Sequence, residues 1–495
     1  MEFSIVVDDI SKIPADAIIE MNDCEHLSEI KEGEIRVLHT EYLNAKYLIQ
    51  VCTPVYRNYS KEEAREKLYN ICQSVLNTLV ELPNIHFVAF PVIPYDEDIF
   101  PAHEAFRTFV DAFFEWKGSL TDSSETNFIN TFIDSVNIVI SDENIEPIYN
   151  FVLMFRDDSN VHAGQKNIMG AIVGDYIGSR FEFNNTKRKD FELLSPACEL
   201  TDDSIMTFAI FKALTICSED YSDLAKQTIK AMRKFGKLYP NRGYGCSFNK
   251  WLLSEEPKPY NSWGNGAAMR VSGCGLLAHS VEEAENLAQI VTEVTHNHPE
   301  GIKGAKAVAA AIFLARTGQS MNDIRDYIEK KYYSLDFTLD EIRDNYTFDV
   351  SCQGSVPQAL EAFFESANFE DAIRNAVSIG GDSDTIAAIT GSIAGVYYGV
   401  PSEIIGEINL DINLMRTAGE FSIKMSKNNA QQGRCPFCYK PDIINEHFPL
   451  TDVCQDKGFE GAINRGNIEI KDGYVYNKHR FFCHNCGWFF MYRAD

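Results

Sequence analysis

Gly380-Gly-Asp-Ser-Asp-Thr385 runs without interruption into Ile386-Ala-Ala-Ile-Thr-Gly-Ser-Ile-Ala-Gly-Val-Tyr-Tyr398. Paired glycines mark a tight turn, two carboxylates and a hydroxyl follow, and small and apolar residues then continue at helical spacing. The uncharged stretch from Thr385 to Ser402 is broken by Gly391, Gly395, Gly399 and Pro401, so it reads as a buried helix rather than a membrane span. No membrane partner is expected. A second stretch repeats the arrangement, with Leu200-Thr-Asp-Asp-Ser204 leading into the helical run Ile205–Leu214. Taken alone, Thr201 is a helix cap, and Asp202 and Asp203 complement the positive end of the helix dipole. Two such clusters in one segment point to more. Four carboxylates around one point repel unless a cation lies between them, and oxygen ligands on rigid turns suit hard divalent ions. Mg²⁺ is the first choice, as one ion or a pair, with Mn²⁺ as a substitute. No Cys or His lies inside either cluster, so Zn²⁺ does not fit there.

Outward from these clusters, residues 165–425 are rich in Ala, Gly and helical spacing, with few strand signals. Ser280-Val-Glu-Glu283 reads as a capping box opening a helix to about Thr295, and Ile302–Arg316 reads as another helix. Gly170-Ala-Ile-Val-Gly-Asp-Tyr-Ile-Gly178 places glycines four apart, which permits close helix packing, and leads into Ser179-Arg-Phe-Glu182. Trp263-Gly-Asn-Gly-Ala-Ala-Met-Arg270 is a glycine turn whose free N–H groups could receive a phosphate, although taken singly it is better explained by packing. In Thr295-His-Asn-His-Pro-Glu300, histidines two apart can bind a transition metal at a strand end, but here they follow a helix, which favours capping of that helix plus a ligand-facing turn, and Pro299 reads as a stop signal.

Together these motifs, in this order across about 250 residues, resemble the ADP-ribosylglycohydrolase family. The resemblance implies an all-α domain with a two-Mg²⁺ centre held by Thr201, Asp202, Asp203, Asp382, Asp384 and Thr385 beneath the ribose of an ADP-ribosyl group. It also implies roles for individual residues. Asp384 is the first choice for the base that deprotonates a metal-activated water, Asp382 stands beside it, and Glu182 is a gating or acid group. Asn265, Gly266, Arg270, His296, His298 and Gly381 would line the ADP-ribose.

Residues 1–155 alternate β-rich runs (Phe3–Val7, Ala17–Ile19, Tyr47–Val51, His86–Ile93, Val136–Ile140) with helical patterns (Lys61–Glu81, Ala102–Trp116, Ile145–Met154), which predicts an α/β layer fold. This segment resembles a macrodomain, the three-layer α/β module that binds ADP-ribose. Val7-Asp-Asp-Ile10, Ala15–Ile19, Tyr47–Val51 and Phe90-Pro-Val-Ile93 carry the resemblance, which puts Asp9 where that family contacts adenine. It departs from the pattern at Glu20-Met-Asn-Asp23 and at Pro94-Tyr-Asp-Glu-Asp98, where acid replaces the glycine loop that would wrap a diphosphate. A structural or target-recognition role is expected for it.

Residues 430–495 hold Cys435-Pro-Phe-Cys438 and Cys483-His-Asn-Cys486, two knuckles that suit one structural Zn²⁺ and resemble a zinc ribbon. The other nine of the 13 cysteines are scattered singly, which fits a reducing compartment and metal binding rather than disulfides. The N-terminus carries acid where a secretory signal carries Lys or Arg, so a cytoplasmic location is expected. With 45 Lys and Arg against 72 Asp and Glu, the formal net charge of −27 argues against non-specific nucleic-acid binding. The expected partner is an ADP-ribosylated substrate, with a protein or nucleic-acid target docked by the two flanking modules. A non-catalytic ADP-ribose reader, or a different metal-dependent phosphohydrolase, are the competing readings. The six-residue ligand set favours the enzyme, because a reader has no need of it.

Overall fold

The computed structural model describes residues 2–23, 30–40, 45–98, 100–122, 133–153, 167–431, 443–449, 468–471, 474–483 and 489–491. The chain divides into two compact units, Met1–Leu153 and Met154–Asp495. In the first, the strands are β1 (Glu2–Val7), β2 (Ala17–Asp23), β3 (Ile35–His39), β4 (Tyr47–Thr53), β5 (Phe87–Phe90) and β6 (Ser135–Ile140). Its helices are α1 (Lys61–Glu81), α2 (Ala102–Asp122) and α3 (Glu146–Leu153). The sheet order is β1-β6-β5-β2-β4-β3, parallel except for β3, which pairs antiparallel with β4 and which hydrophobic patterning alone does not reveal. Alternation along the strands sorts the side chains. Ile19, Ile49, Val51, Val88 and Ile138 join α1, α2 and α3 in the larger core, while Ile18, Ala89 and Val139 face a smaller cluster with Ile10 and Ile13. Cys52 on β4 is disulfide-bonded, which corrects the expectation of metal binding rather than disulfides for the cysteines.

The second unit is helical over most of its length: α4 (Gly170–Gly178), α5 (Asp202–Ile216), α6 (Leu224–Leu238), α7 (Cys246–Leu253), α8 (Ser272–Leu277), α9 (Val281–Glu293), α10 (Pro299–Arg316), α11 (Met321–Lys331), α12 (Leu339–Arg343), α13 (Cys352–Phe364), α14 (Phe369–Ser378), α15 (Ser383–Tyr398), α16 (Ser402–Gly406) and α17 (Ile412–Gln431). None of the described helices is long and apolar enough to cross a membrane. Two local expectations need correcting. Glu283 accepts the N–H of His279 rather than completing a capping box with Ser280. Pro299 begins a helix instead of ending one: His298 is the N-cap of α10 and accepts the N–H of Glu300.

Beyond α17, strands β7 (Ile443–Pro449), β8 (Ile468–Lys471), β9 (Tyr474–Cys483) and β10 (Phe489–Met491) form an antiparallel sheet around β9. Cys435, Cys438 and Cys486 lie outside the described residues. Cys483 ends β9, with its side chain also outside them.

The contact that organises the helical unit is α4 against α15. A Cβ on Gly170 would come within 2.2 Å of Gly391 O, one on Gly174 within 2.0 Å of Ala387 O, and one on Gly178 within 2.6 Å of the Asp384 Cα. The four-residue spacing of glycines thus lets two backbones touch, and every residue of α15 from Ser383 to Val396 is buried. Gly174→Ala is expected to destabilise the protein by about 3 kcal/mol, the upper range for forcing a methyl into a packed interior. Gly118→Ala, on α2 with nothing within 4 Å of the new Cβ, should stabilise by about 0.5–1 kcal/mol. Thermal melts of the two variants read the contrast, and an equal effect at both positions would refute the close-contact account.

Candidate functional site

Three N-terminal or mid-helix positions converge on one buried acidic centre. Asp175, in the middle of the glycine-lined α4, is completely buried. It accepts the backbone N–H groups of Thr201 and Ser204 at 3.0 Å, the Thr201 hydroxyl at 2.6 Å and the Ser204 hydroxyl. One carboxylate therefore fixes the first turn of α5. Thr201 is the N-cap of that helix, its Oγ1 accepting from the Asp203 N–H. Across the gap, the Thr385 hydroxyl donates to Asp203 Oδ2 at 3.1 Å, and Asn265 Nδ2 donates to Asp382 Oδ2 at 2.6 Å.

Ligand atoms of Asp175, Asp203 and Asp384 lie within 4.8 Å of one another, and so do those of Glu182, Asp382 and Asp384. The two triads share Asp384. Asp203 Oδ1 and Asp384 Oδ1 are buried with no hydrogen-bond partner, an arrangement costly for a carboxylate unless another group completes it. Burial, then Asp175 and Asp202, push the Asp203 carboxyl well above its ordinary range. Burial, then Asp203 and Asp382, do the same to Asp384. Asp202 is pushed up to about 8 by burial and Asp175, and Glu182 to about 7 by burial, Asp382 and Asp175. Asp382 is also raised by burial, against the hydrogen bond from Asn265. A hard divalent cation would offset the mutual repulsion of these carboxylates and the cost of burying them. The oxygen-only donor set and the two unpartnered buried oxygens fit Mg²⁺ or Mn²⁺.

Several expected residues occupy less direct places. Asp202 belongs to neither triad; its N–H donates to Arg242 O. Asn265 directs its amide to Asp382 and Ser355, so it ties the glycine turn to the acidic centre. Arg270, only 1% exposed, donates to Thr295 Oγ1 at 2.7 Å, and that hydroxyl meets His296 Nδ1 at 2.7 Å. Arg270 thus braces His296, whose pKa is held well below the ordinary value by burial and by this guanidinium. The neutral ring presents Nε2 to the bare backbone of Gly264 and Gly266, where a Cβ would lie 3.6 and 3.4 Å from it. His298 stands edge-on to the half-exposed Trp263 ring at 5.4 Å, apart from its capping bond. Gly381 has φ +78°, a conformation suited to glycine.

Sequence patterning passed over Asp175 and Asn185. The first had a signal: a lone carboxylate in the apolar, glycine-spaced run 170–178. The second had none, because the Gly381 backbone it engages is 196 residues away.

Because these carboxyls are raised, the folded chain without cation holds protons that the unfolded chain has already released above about pH 4. Stability then falls as pH rises from about 4 toward about 8. Melts in EDTA should show Tm declining across this window, with Mg²⁺ restoring most at the alkaline end. A Tm indifferent to Mg²⁺ near pH 8 would argue that the carboxylates are not ligands.

The chain is similar in sequence to known proteins. The ADP-ribosylglycohydrolase family model matches residues 165–430, and the Macro domain model matches residues 11–109. The ADP-ribosylhydrolase ARH3 of Homo sapiens is 28% identical over 312 residues, spanning 47% of this chain and 84% of that protein. The ADP-ribosylarginine hydrolase Tri1 of Pseudomonas putida is 25% identical over 292 residues, spanning 51% of this chain and 76% of its own length. A solved structure titled ADP-ribosylglycohydrolase-related protein complex aligns over 53% of this chain and 98% of its own, at 19% identity and a TM-score of 0.41. The first unit is macrodomain-like. With the family model matched over more than half of its length, the chain belongs to the ADP-ribosylglycohydrolase family and is a glycohydrolase enzyme.

Proposed function

We propose that this enzyme is a Mg²⁺-dependent hydrolase that cleaves the glycosidic bond between an ADP-ribosyl group and a protein, nucleic-acid or small-molecule acceptor in the cytoplasm. The observation that carries the reading is the pair of carboxylate triads meeting at Asp384, with unpartnered buried oxygens on Asp203 and Asp384. The names of the two relatives, an ADP-ribosylhydrolase and an ADP-ribosylarginine hydrolase, support the ADP-ribosyl leaving unit.

In this reading Thr201, Asp202, Asp203, Asp382, Asp384 and Thr385 hold two ions, with Asp175 setting the Thr201 end. Bound there, divalent cations would supply positive charge that polarises substrate oxygens and acidifies a water. Asp384 would take a proton from the water that attacks the anomeric carbon. Glu182, half-buried beside Asp382 and Asp384, is the group that would give a proton to the departing atom. Gly264 and Gly266 leave backbone open for the diphosphate, and His296 Nε2 faces the same space. Trp263 and His298 border it.

The flanking parts are assigned to target choice. In the first unit, Asp9 caps its own turn by accepting from Ser11, and Tyr56 donates to Pro94 O at 2.8 Å. Asp98 N–H bonds Asp96 Oδ1 within the acidic loop. These groups serve the domain's own structure rather than a diphosphate. Cys435, Cys438, Cys483 and Cys486 are assigned to one structural Zn²⁺, which elemental analysis of the purified chain tests at one zinc per molecule.

A panel of ADP-ribosylated proteins, oligonucleotides and small molecules, scored for free ADP-ribose with Mg²⁺ and with EDTA, tests the activity. Release should require Mg²⁺, and Asp384→Ala should lower kcat by about 10²–10⁴-fold with the fold intact. Retained turnover in that variant would remove Asp384 from the mechanism. Absence of release from every member would favour a reader.

A further inference from the structure

Glu182 presents a physical puzzle. Its carboxylate lies within 4.8 Å of those of Asp382 and Asp384, yet among the described residues it accepts no hydrogen bond and pairs with no cation. It sits on a loop whose next residue, Phe183, is 86% exposed. Like charges at that separation repel, and among the described residues no hydrogen bond or ion pair of the side chain opposes the repulsion.

The loop's backbone is held instead. Asn185 Oδ1 accepts the N–H of Gly381 at 2.8 Å, while Asn185 Nδ2 donates to Gly381 O at 2.9 Å. One side-chain amide thus engages both backbone groups of a residue 196 positions away. The same Nδ2 lies 2.6 Å from Phe181 O and 3.1 Å from Glu182 O, so the amide gathers the Glu182 turn and the Gly380–Gly381 turn onto one point. Beside it, Lys187 Nζ donates to Ile379 O at 2.5 Å and Tyr346 O at 2.8 Å. A Cβ on Gly380 would meet Asn185 Oδ1 at 3.0 Å and Lys187 Nζ at 3.1 Å, so the left-handed turn at φ +71° and +78° also gives the latch its room. Asn185 is exposed and adds nothing to a core.

We propose that Asn185 is a positioning residue: its amide latches the Glu182 turn to the Gly381 backbone and so keeps Glu182 facing the acidic centre. The inference rests on the role assigned to Glu182 above. On this proposal Asn185 acts through Glu182 rather than by contact with substrate or ion.

The test uses the full chain with Mg²⁺ and an ADP-ribosylated substrate from the panel. In Asn185→Ala, the Gly381 amide should lose its protection in hydrogen exchange. Its kcat should fall by about 10²-fold, the scale of a small misplacement of a reacting group, with KM and Mg²⁺ affinity by calorimetry unchanged. In a Glu182→Ala background, the same substitution should cost nothing further. Unchanged Gly381 exchange overturns the latch. An equal kcat loss with and without Glu182, or a loss that tracks weaker Mg²⁺ binding, overturns the route through Glu182. Wild-type kcat in Glu182→Ala alone would remove Glu182 from the mechanism, and the positioning role with it, while the exchange result still reports whether the hydrogen bonds form.

Discussion

The backbone-to-backbone approach of α4 and α15 is the constraint on which the catalytic half depends. Three glycines on one face bring the helices so close that Asp175 lies beside Asp203 and Asp384. Any side chain larger than hydrogen at these positions would separate the helices and, with them, the ligands. Close packing here is therefore more than a source of dispersion energy. It sets the separation between carboxylates that chemistry requires, using residues that carry no chemistry themselves.

That closeness has an electrostatic consequence. Asp175, Asp203, Asp382 and Asp384 are buried, and each is raised mainly by desolvation. A structure selected for stability alone would not collect them. Asp175 offsets part of the cost by accepting four hydrogen bonds from Thr201 and Ser204, whereas Asp203 and Asp384 each leave an oxygen without a partner. The division is informative. One carboxylate is satisfied by protein and holds a helix end, while the others remain available to a cation.

Loops complete the centre from outside. Asn265 binds the Gly264 turn to Asp382, Arg270 braces His296 through Thr295, and Asn185 joins the Glu182 turn to Gly381. Each is a side chain that looks like a ligand-binding group in sequence, or like nothing at all, and whose bonds are largely to other parts of the protein. Arg270 illustrates the trap. A cation in a glycine-rich turn suggests phosphate, but at 1% exposure it can reach only its neighbours.

Much of this was legible beforehand. Helical periodicity, glycine spacing and the paired Thr-Asp-Asp and Asp-Ser-Asp-Thr clusters are local signals, and they determined the helical unit, the α/β unit before it and the acidic character of the site. Asp202 is equally readable as a candidate ligand and stands outside both triads; successive residues at a helix start project about 100° apart, so Asp202 and Asp203 point in different directions. Pro299 was misjudged as a stop because the same residue is tolerated at a helix's first turn and excluded from its interior; only the chain's direction in space distinguishes the two. The sequence by itself determined which residue types could bind a cation and which helices would be buried. Tertiary structure alone decided that Asp175 belongs with Asp203 and Asp384, that Arg270 serves His296, and that Asn185 reaches Gly381. Those contacts join positions up to 196 residues apart, and their geometry follows from how closely α4 and α15 pack rather than from any pattern within either segment.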